Sequence, residues 1–334
     1  MTKKHYITTL GIFLIFLLAT LAIAPLIGAT DFNLRNAFSS EIPFKENIDA
    51  HILFLARLPR ILLAGIAGSA LAIAGAVFQA LLRNDLAAPF TLGVSSGAAF
   101  GAVLSIAMGW TFRIMGIPAL SLFAFMGALL AVALVFSLVK VRHNEFQTST
   151  LLLAGVTANF FFAALVMFIH YLSDFTQSFQ IIRWLMGGLD ITDYATVLSI
   201  IPPVAFGFFV LMLIARDLNL ISAGVSTALS RGVNVSRIQK TGFIVSSLIT
   251  GTVVAFTGPI GFVGLIAPHI VRLIVGPDLR LLLPCVMMFG AAFLILCDAV
   301  ARTLIAPAEI PVGVITAILG GPFFVWLLKR KKNA

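Results

Sequence analysis

Charge is what this chain has least of. Its 334 residues include 13 Asp and Glu and 22 Lys and Arg, so 10% are charged, against about 25% in ordinary soluble proteins. Apolar residues make up 60% and the mean hydropathy is +1.09, more apolar surface than a soluble fold could cover. Cysteine is nearly absent. Cys285 and Cys297 lie 12 positions apart in an apolar stretch, which excludes a disulfide framework and offers no metal-ligand spacing. None of the eight lysines follows a glycine, so the phosphate-binding pattern G-x-x-x-x-G-K-[ST] is missing, and the chain does not hydrolyse ATP by that route. His5, His51, His143, His170 and His269 are isolated, without a carboxylate or cysteine at ligand spacing. No catalytic triad or paired-carboxylate site is visible. All 13 carboxylates, Glu41, Asp85, Asp278, Asp298 and Glu309 among them, fall in loops or near the ends of apolar runs. An ion-coupled secondary carrier needs ionisable groups near the midplane, and the sequence shows none.

What is present is a series of apolar runs, each near the ~20 residues that cross a bilayer. A backbone in lipid must satisfy its own hydrogen bonds, which leaves helices or closed barrels, and these runs are too continuously apolar for alternating barrel strands. The expected fold class is therefore an all-α integral membrane protein, a single domain over residues 1–334. Spans are expected near 7–29, 52–82, 90–111, 114–139, 147–170, 194–215, 238–258, 260–275, 281–304 and 310–328. The first reads as an uncleaved span, being longer than a signal-peptide core. The eighth is short and interrupted by Gly261, Gly264 and Pro268, as a tilted or broken helix would be.

Ten spans put both termini on one side. With the termini inside, fifteen Lys and Arg fall in the cytoplasm, including Lys140, Arg231 and Arg272, and seven of the 22 fall outside, as the positive-inside rule requires. Scattered between spans, these cations fit topology rather than a nucleic-acid surface, and no nucleic-acid partner is expected. Outer segments 30–51 and 171–193 and an inner segment, 217–239, exceed simple turns; the inner one has the composition of short interfacial helices. Small residues at helical spacing, Gly93/Gly97/Gly101 and Ala64/Gly68, point to close helix packing within the chain.

Specific strings then resemble one family. Arg57-Leu-Pro-Arg60, Gly75-Ala-Val-Phe-Gln79, Asn84-Asp-Leu-Ala-Ala-Pro89, Leu92-Gly-Val-Ser-Ser-Gly97, Leu152-Leu-Ala-Gly-Val156, Trp184-Leu-Met-Gly-Gly188, the run from Gly258 to His269 and Glu309-Ile-Pro-Val-Gly313 look, in order, like the FecCD permeases of ATP-binding-cassette (ABC) importers. Such permeases import ferric siderophores, haem and cobalamin. The resemblance implies a type II importer permease of ten helices with an inverted repeat, here about 52–170 and 238–328. It implies a second permease subunit, identical or homologous, two cytoplasmic ATPase subunits that use ATP and Mg, and a periplasmic substrate-binding protein. The permease itself binds no cofactor and no metal and has no catalytic residue.

Site residues follow from the same matches. Arg57, Arg60 and Arg302 match positions at the outer mouth that dock acidic knobs of the binding protein; snorkelling to lipid phosphates, or for Arg302 a pair with Asp298 at helical spacing, explains them as well. Ala228, Leu229, Ser230, Arg231, Gly232 and Val233 match the loop that couples to the ATPase, although many relatives carry leucine where this chain has Arg231. Asn84, Leu86, Thr148 and Ser149 match turns that narrow the cytoplasmic end, and helix capping explains Thr148 and Ser149 equally.

Overall fold

The computed structural model describes residues 3–39, 42–138, 141–142, 145–146, 148–190 and 193–332. Glu41, Lys140, His143 and Gln147 lie outside the described residues. In chain order the elements are α1 (Lys3–Ile23), α2 (Leu34–Ala37), α3 (Ile48–Ala50), α4 (Leu58–Leu82), α5 (Val94–Ala107), the hairpin β1 (Arg113–Ile114) and β2 (Ile117–Pro118), and α6 (Ala119–Leu138). A second small hairpin, β3 (Val141–Arg142) and β4 (Glu145–Phe146), leads to α7 (Thr148–Leu172), α8 (Phe175–Leu185), α9 (Tyr194–Leu213), α10 (Ala215–Ala223) and α11 (Val225–Ser230). The chain closes with α12 (Val235–Thr257), α13 (Val263–Val275), α14 (Leu279–Thr303) and α15 (Val312–Lys332).

Seven of these helical stretches are long and apolar enough to span a membrane, and α5, α13 and the apolar part of α15, Val312–Leu327, are shorter apolar helices that complete the ten expected crossings. The second span is longer than its apolar run suggests. Its helix begins at Ile48 and passes through a π-helical turn, His51–Arg57, before α4.

The core forms around α4, whose span is 78% buried and which packs against α9, α12, α13 and α14. Small residues make this possible. A Cβ on Gly68 would strike the backbone of Gly290, and one on Gly75 would strike that of Gly264, so the backbones of α14 and α13 lie directly on α4. Where lipid offers no hydrophobic drive to association, such close van der Waals contact is what holds helices together. Pro268, inside α13, cannot donate to the carbonyl four residues back. That carbonyl belongs to Gly264 and rests against Gly75. Gly97 and Gly127 meet in the same way between α5 and α6. The glycine spacings read from the sequence therefore serve packing within this chain. The opposite case is α7, only 22% buried, with Phe160, Met167, Phe168 and Tyr171 exposed.

Alternation of the crossings gives the bundle two ends. The near end holds the start of α1, the end of α4, α10, α11 and the start of α14; the far end holds the start of α4, α8 and the end of α14. At the near end the inner segment folds into the short helices α10 and α11. Pro284 in α14 leaves the Arg280 carbonyl without its helical donor, and the Tyr6 hydroxyl of α1 donates to it at 3.3 Å.

At the far end, one of the long segments contains a helix that hydropathy did not mark. The amphipathic α8 starts in a capping box, where Asp174 accepts from the Gln177 N–H and Gln177 accepts from Asp174. The Gln177 amide also reaches α5: its Nε2 donates to the Ala107 carbonyl at 3.1 Å.

Candidate functional site

The far end gathers the three arginines singled out in the sequence, with Arg57 and Arg302 buried and Arg60 partly so. The π-helical turn and the first turn of α4 carry Arg57 and Arg60; the last turn of α14 carries Arg302. Arg57 is 5% exposed. Its guanidinium donates to the Pro25 carbonyl at 2.6 Å and to the Thr30 carbonyl, and sits 4.6 Å over the Phe32 ring. It is thus bound to the backbone that follows α1.

Asp298 is the centre of the cluster. It lies inside α14 and is fully buried, although in sequence it reads as a residue near a span end. Arg60 Nε reaches its Oδ1 at 2.9 Å and Arg302 Nε its Oδ2 at 3.0 Å, so one carboxylate serves two cations. The helical-spacing pair Asp298/Arg302 is therefore formed. Arg60 has a second partner, Glu309 Oε2, 2.5 Å from its Nη1. An ion pair buried this deeply contributes little net stability, but removing one partner strands a charge and costs about 3–5 kcal/mol. A cavity of about 270 Å³ is lined by Thr30, Arg57, Arg60, Arg302, Pro307 and Glu309, which brings the three arginines into one place.

Beside this cluster stands α8. Cavities of about 420 Å³ and 480 Å³ flank it, sharing Arg183, Gly188 and Asp190 as walls. Arg183 and Asp190 pair at 3.0 Å with both side chains exposed, a contact worth at most about 1 kcal/mol in water.

At the near end, α11 and the turn after it form an anchored knob. Ala228 is fully buried with Ile221 and Val235, and Val233 packs on that small cluster. Leu229, Ser230, Arg231 and Gly232 are exposed. The turn closes by hydrogen bonds from the Gly232 N–H to the Leu229 carbonyl and from the Val233 N–H to the Ala228 carbonyl. Gly232 takes φ +79°, a conformation that suits glycine. Of the six residues matched to a coupling loop, two fix the segment to the bundle and four face outward.

The turn after α4 is also built by local hydrogen bonding. Arg83 ends the helix at φ +48°, and Asn84 Oδ1 then accepts from the Leu86 N–H at 3.0 Å, an Asx-type turn. Leu86 is 44% exposed. Ser149 is exposed in the first turn of α7, and the side chain of Thr148 lies outside the described residues. The strongest contact between the two regions is deeper, where the turn Pro89–Leu92 packs on α7 and Asn159 Nδ2 donates to the Phe90 carbonyl at 2.9 Å.

Two near-end clusters were not legible as sites in the sequence. Arg272 of α13 donates to Asp85 at 2.8 Å and to Gln79 Oε1 at 2.9 Å, tying the turn after α4 to α13. Asn219 of α10 donates to Asp278 at 2.7 Å and accepts from the Leu279 N–H at 2.9 Å, tying α10 to the start of α14. Asp278 also receives Arg280 in a two-pronged contact. Chiefly through those bonds its carboxyl is held down at about 2. A cavity of about 790 Å³ lies between the two clusters. Among the described residues no group of three or more His, Cys, Asp or Glu is arranged to hold a metal.

Comparison with known proteins agrees with this architecture. The hemin transport system permease protein HmuU of Yersinia pestis is 38% identical, with 96% of this chain and 95% of that protein covered. The cobalamin import system permease protein BtuC of Halobacterium salinarum is 42% identical over 83% of this chain and 73% of its own. A solved structure described as an inward-facing conformation of a metal-chelate type ABC transporter is 33% identical, covers 97% of this chain and 99% of its own, and superposes with a TM-score of 0.82. The family model for the FecCD transport family matches residues 14–330. The ten-helix bundle, the ordered motifs and this match together establish that the chain belongs to the FecCD transport family and is a transmembrane permease of the ABC class.

Proposed function

We propose that the chain is the channel-forming subunit of an importer that carries a metal chelate, most simply a ferric siderophore, across the bacterial inner membrane. Two permease subunits, identical or homologous, would enclose the pathway. The near end faces the cytoplasm, with both termini, and two ATPase subunits that use ATP and Mg engage it. The far end receives a periplasmic binding protein. The cargo is moved by alternating access and is not chemically changed.

The observation that carries this reading is the knob Leu229–Gly232, exposed on a buried anchor and joined through Asn219 to the start of α14. A segment built this way can receive force from a partner and pass it to a spanning helix, which a loose basic loop cannot. The basic excess on the near end agrees with a cytoplasmic face. At the far end, Arg60 already holds two carboxylates, the chemistry that an acidic knob of a binding protein would need. On this reading Asn84, Leu86, Thr148 and Ser149, in the turn after α4 and the first turn of α7, would narrow the cytoplasmic exit.

The deciding experiment purifies the chain with its ATPase subunits and reconstitutes it with the cognate binding protein. Removal of Ala228 to Val233 should abolish ATPase co-purification. Uptake should require ATP and should select among ferric siderophore, haem and cobalamin. Uptake by the chain alone under an ion gradient would overturn the reading. Haem is the second cargo to test, because HmuU aligns over nearly the whole of both chains.

A further inference from the structure

We infer that Glu309 is an internal stand-in for a partner's carboxylate: it occupies the arginine-walled cavity at the far end and is displaced when the binding protein docks. The inference rests on the docking role proposed above and adds to it a competing residue within the chain.

The two carboxylates on Arg60 differ in kind. Asp298 is fixed. Its side chain is 1% exposed, it projects from the interior of α14, and it is held by Arg302 as well. Glu309 belongs to the short connection between α14 and α15, its side chain is 44% exposed, and the single ion pair to Arg60 Nη1 is its only salt bridge among the described residues. A carboxylate so exposed exchanges readily with water, whereas Asp298 could leave only by unpacking the helix. Release of Glu309 would free one edge of the Arg60 guanidinium while the other stayed oriented by Asp298.

The surrounding walls favour an incoming anion. Arg57, Arg60 and Arg302 all line the cavity of about 270 Å³ that Glu309 also lines. Arg302 is 4% exposed, and its Nη2 is buried without a hydrogen-bond partner. A buried guanidinium nitrogen left unbonded is costly, and it marks a place where a further oxygen would be bound tightly. The three arginines face Asp298 and Glu309, and Asp31 acts on Arg57 from outside the cavity lining. Loss of Glu309 removes one negative charge from beside Arg60. An acidic side chain from the partner restores that charge and brings a second oxygen toward the unbonded Arg302 Nη2.

The chain is therefore compared in lipid nanodiscs, complexed with its ATPase subunits, as wild type, Glu309→Gln, Glu309→Asp and Arg60→Ala, by measuring association of the cognate binding protein at several salt concentrations. Glu309→Gln should bind about tenfold more tightly, with a steeper loss of affinity as salt rises, because the competing charge is gone. Glu309→Asp, shorter by one methylene, should lie between Gln and wild type. Arg60→Ala should lose binding at least tenfold. If Glu309→Gln binds no better than wild type while Arg60→Ala fails to bind, the stand-in role is wrong and docking on the arginines survives. If Arg60→Ala binds as wild type does, both are wrong. Elution of each variant complex with its ATPase subunits at the wild-type position distinguishes a local effect from misfolding, and the Asp variant, which keeps the charge, supplies the second reading of the stand-in.

Discussion

Asn219 and Asp278 are 59 positions apart in the chain, and a 2.7 Å side-chain hydrogen bond joins them. Asn219 uses both ends of its amide. Its Nδ2 donates to the carboxylate that caps α14, and its Oδ1 accepts from the Leu279 N–H in that helix's first turn. One side chain thus holds α10, and with it the exposed knob of α11, against a spanning helix.

Replacing Asn219 by alanine removes both bonds and leaves the Leu279 N–H to find water. The expected loss is about 1–3 kcal/mol, concentrated at α10 and α11 rather than spread over the bundle. Limited proteolysis at Arg216 or Arg231 should speed up while the global unfolding temperature falls by only a few degrees. Unchanged cleavage would show that other contacts hold the segment.

The same attachment has a defined pH range. The Asp278 carboxyl is lowered from 3.8 to about 2, first by the hydrogen bonds from Arg280 and then by those from the Arg280 backbone and Asn219. A carboxylate lowered in the folded state contributes stability that is fully present above its unfolded value and is lost as pH falls through the folded one. The contribution therefore persists down to about pH 4 and fades between there and about pH 2. The Asp278 side chain is 31% exposed, so solvent screening keeps the effect small. In unfolding measurements, the gap between wild type and Asp278→Asn should be constant above pH 5 and close as pH approaches 2. A gap that widened on acidification would reverse the assigned sign.

Asp298 is a stricter case, because Arg60 and Arg302 both depend on it. Asp298→Asn keeps the shape and removes the charge, stranding the buried Arg302 guanidinium and leaving Arg60 with Glu309 alone. A loss of about 3–5 kcal/mol is expected, against less than about 1 kcal/mol for Asp190→Asn at the exposed Arg183 pair. Thermal unfolding of the two variants side by side checks the difference. Equal effects would mean that the buried cluster is hydrated.

Much of the fold could be read from hydropathy because lipid imposes a single rule on long apolar runs, and all ten crossings have a helix. The eighth reads as short because Gly258 to Phe262 precede it as non-helical chain and α13 itself has only 13 residues. What escaped were features without a long apolar run or with partners far away in sequence. The helix α8 alternates Phe175, Phe179 and Ile182 with Gln177, Gln180 and Arg183, a pattern for lying across an end of the bundle and not for crossing it. The site residues were legible as positions, not as environments. Nothing in Arg57-Leu-Pro-Arg60 says that the Pro25 and Thr30 carbonyls will take up the first arginine, and nothing around Asp298 says that the helix will carry it inward.

The fold gives α14 a mechanical position that no local contact reveals. Its 25 residues make a strut about 37 Å long, with the Asn219 attachment at its foot and Asp298 with Arg302 at its head. No flexible linker intervenes between them. If the proposed function holds, a push on the α11 knob and a pull on the arginine basin would act on the same member, and signals from the two faces of the membrane would meet along its axis.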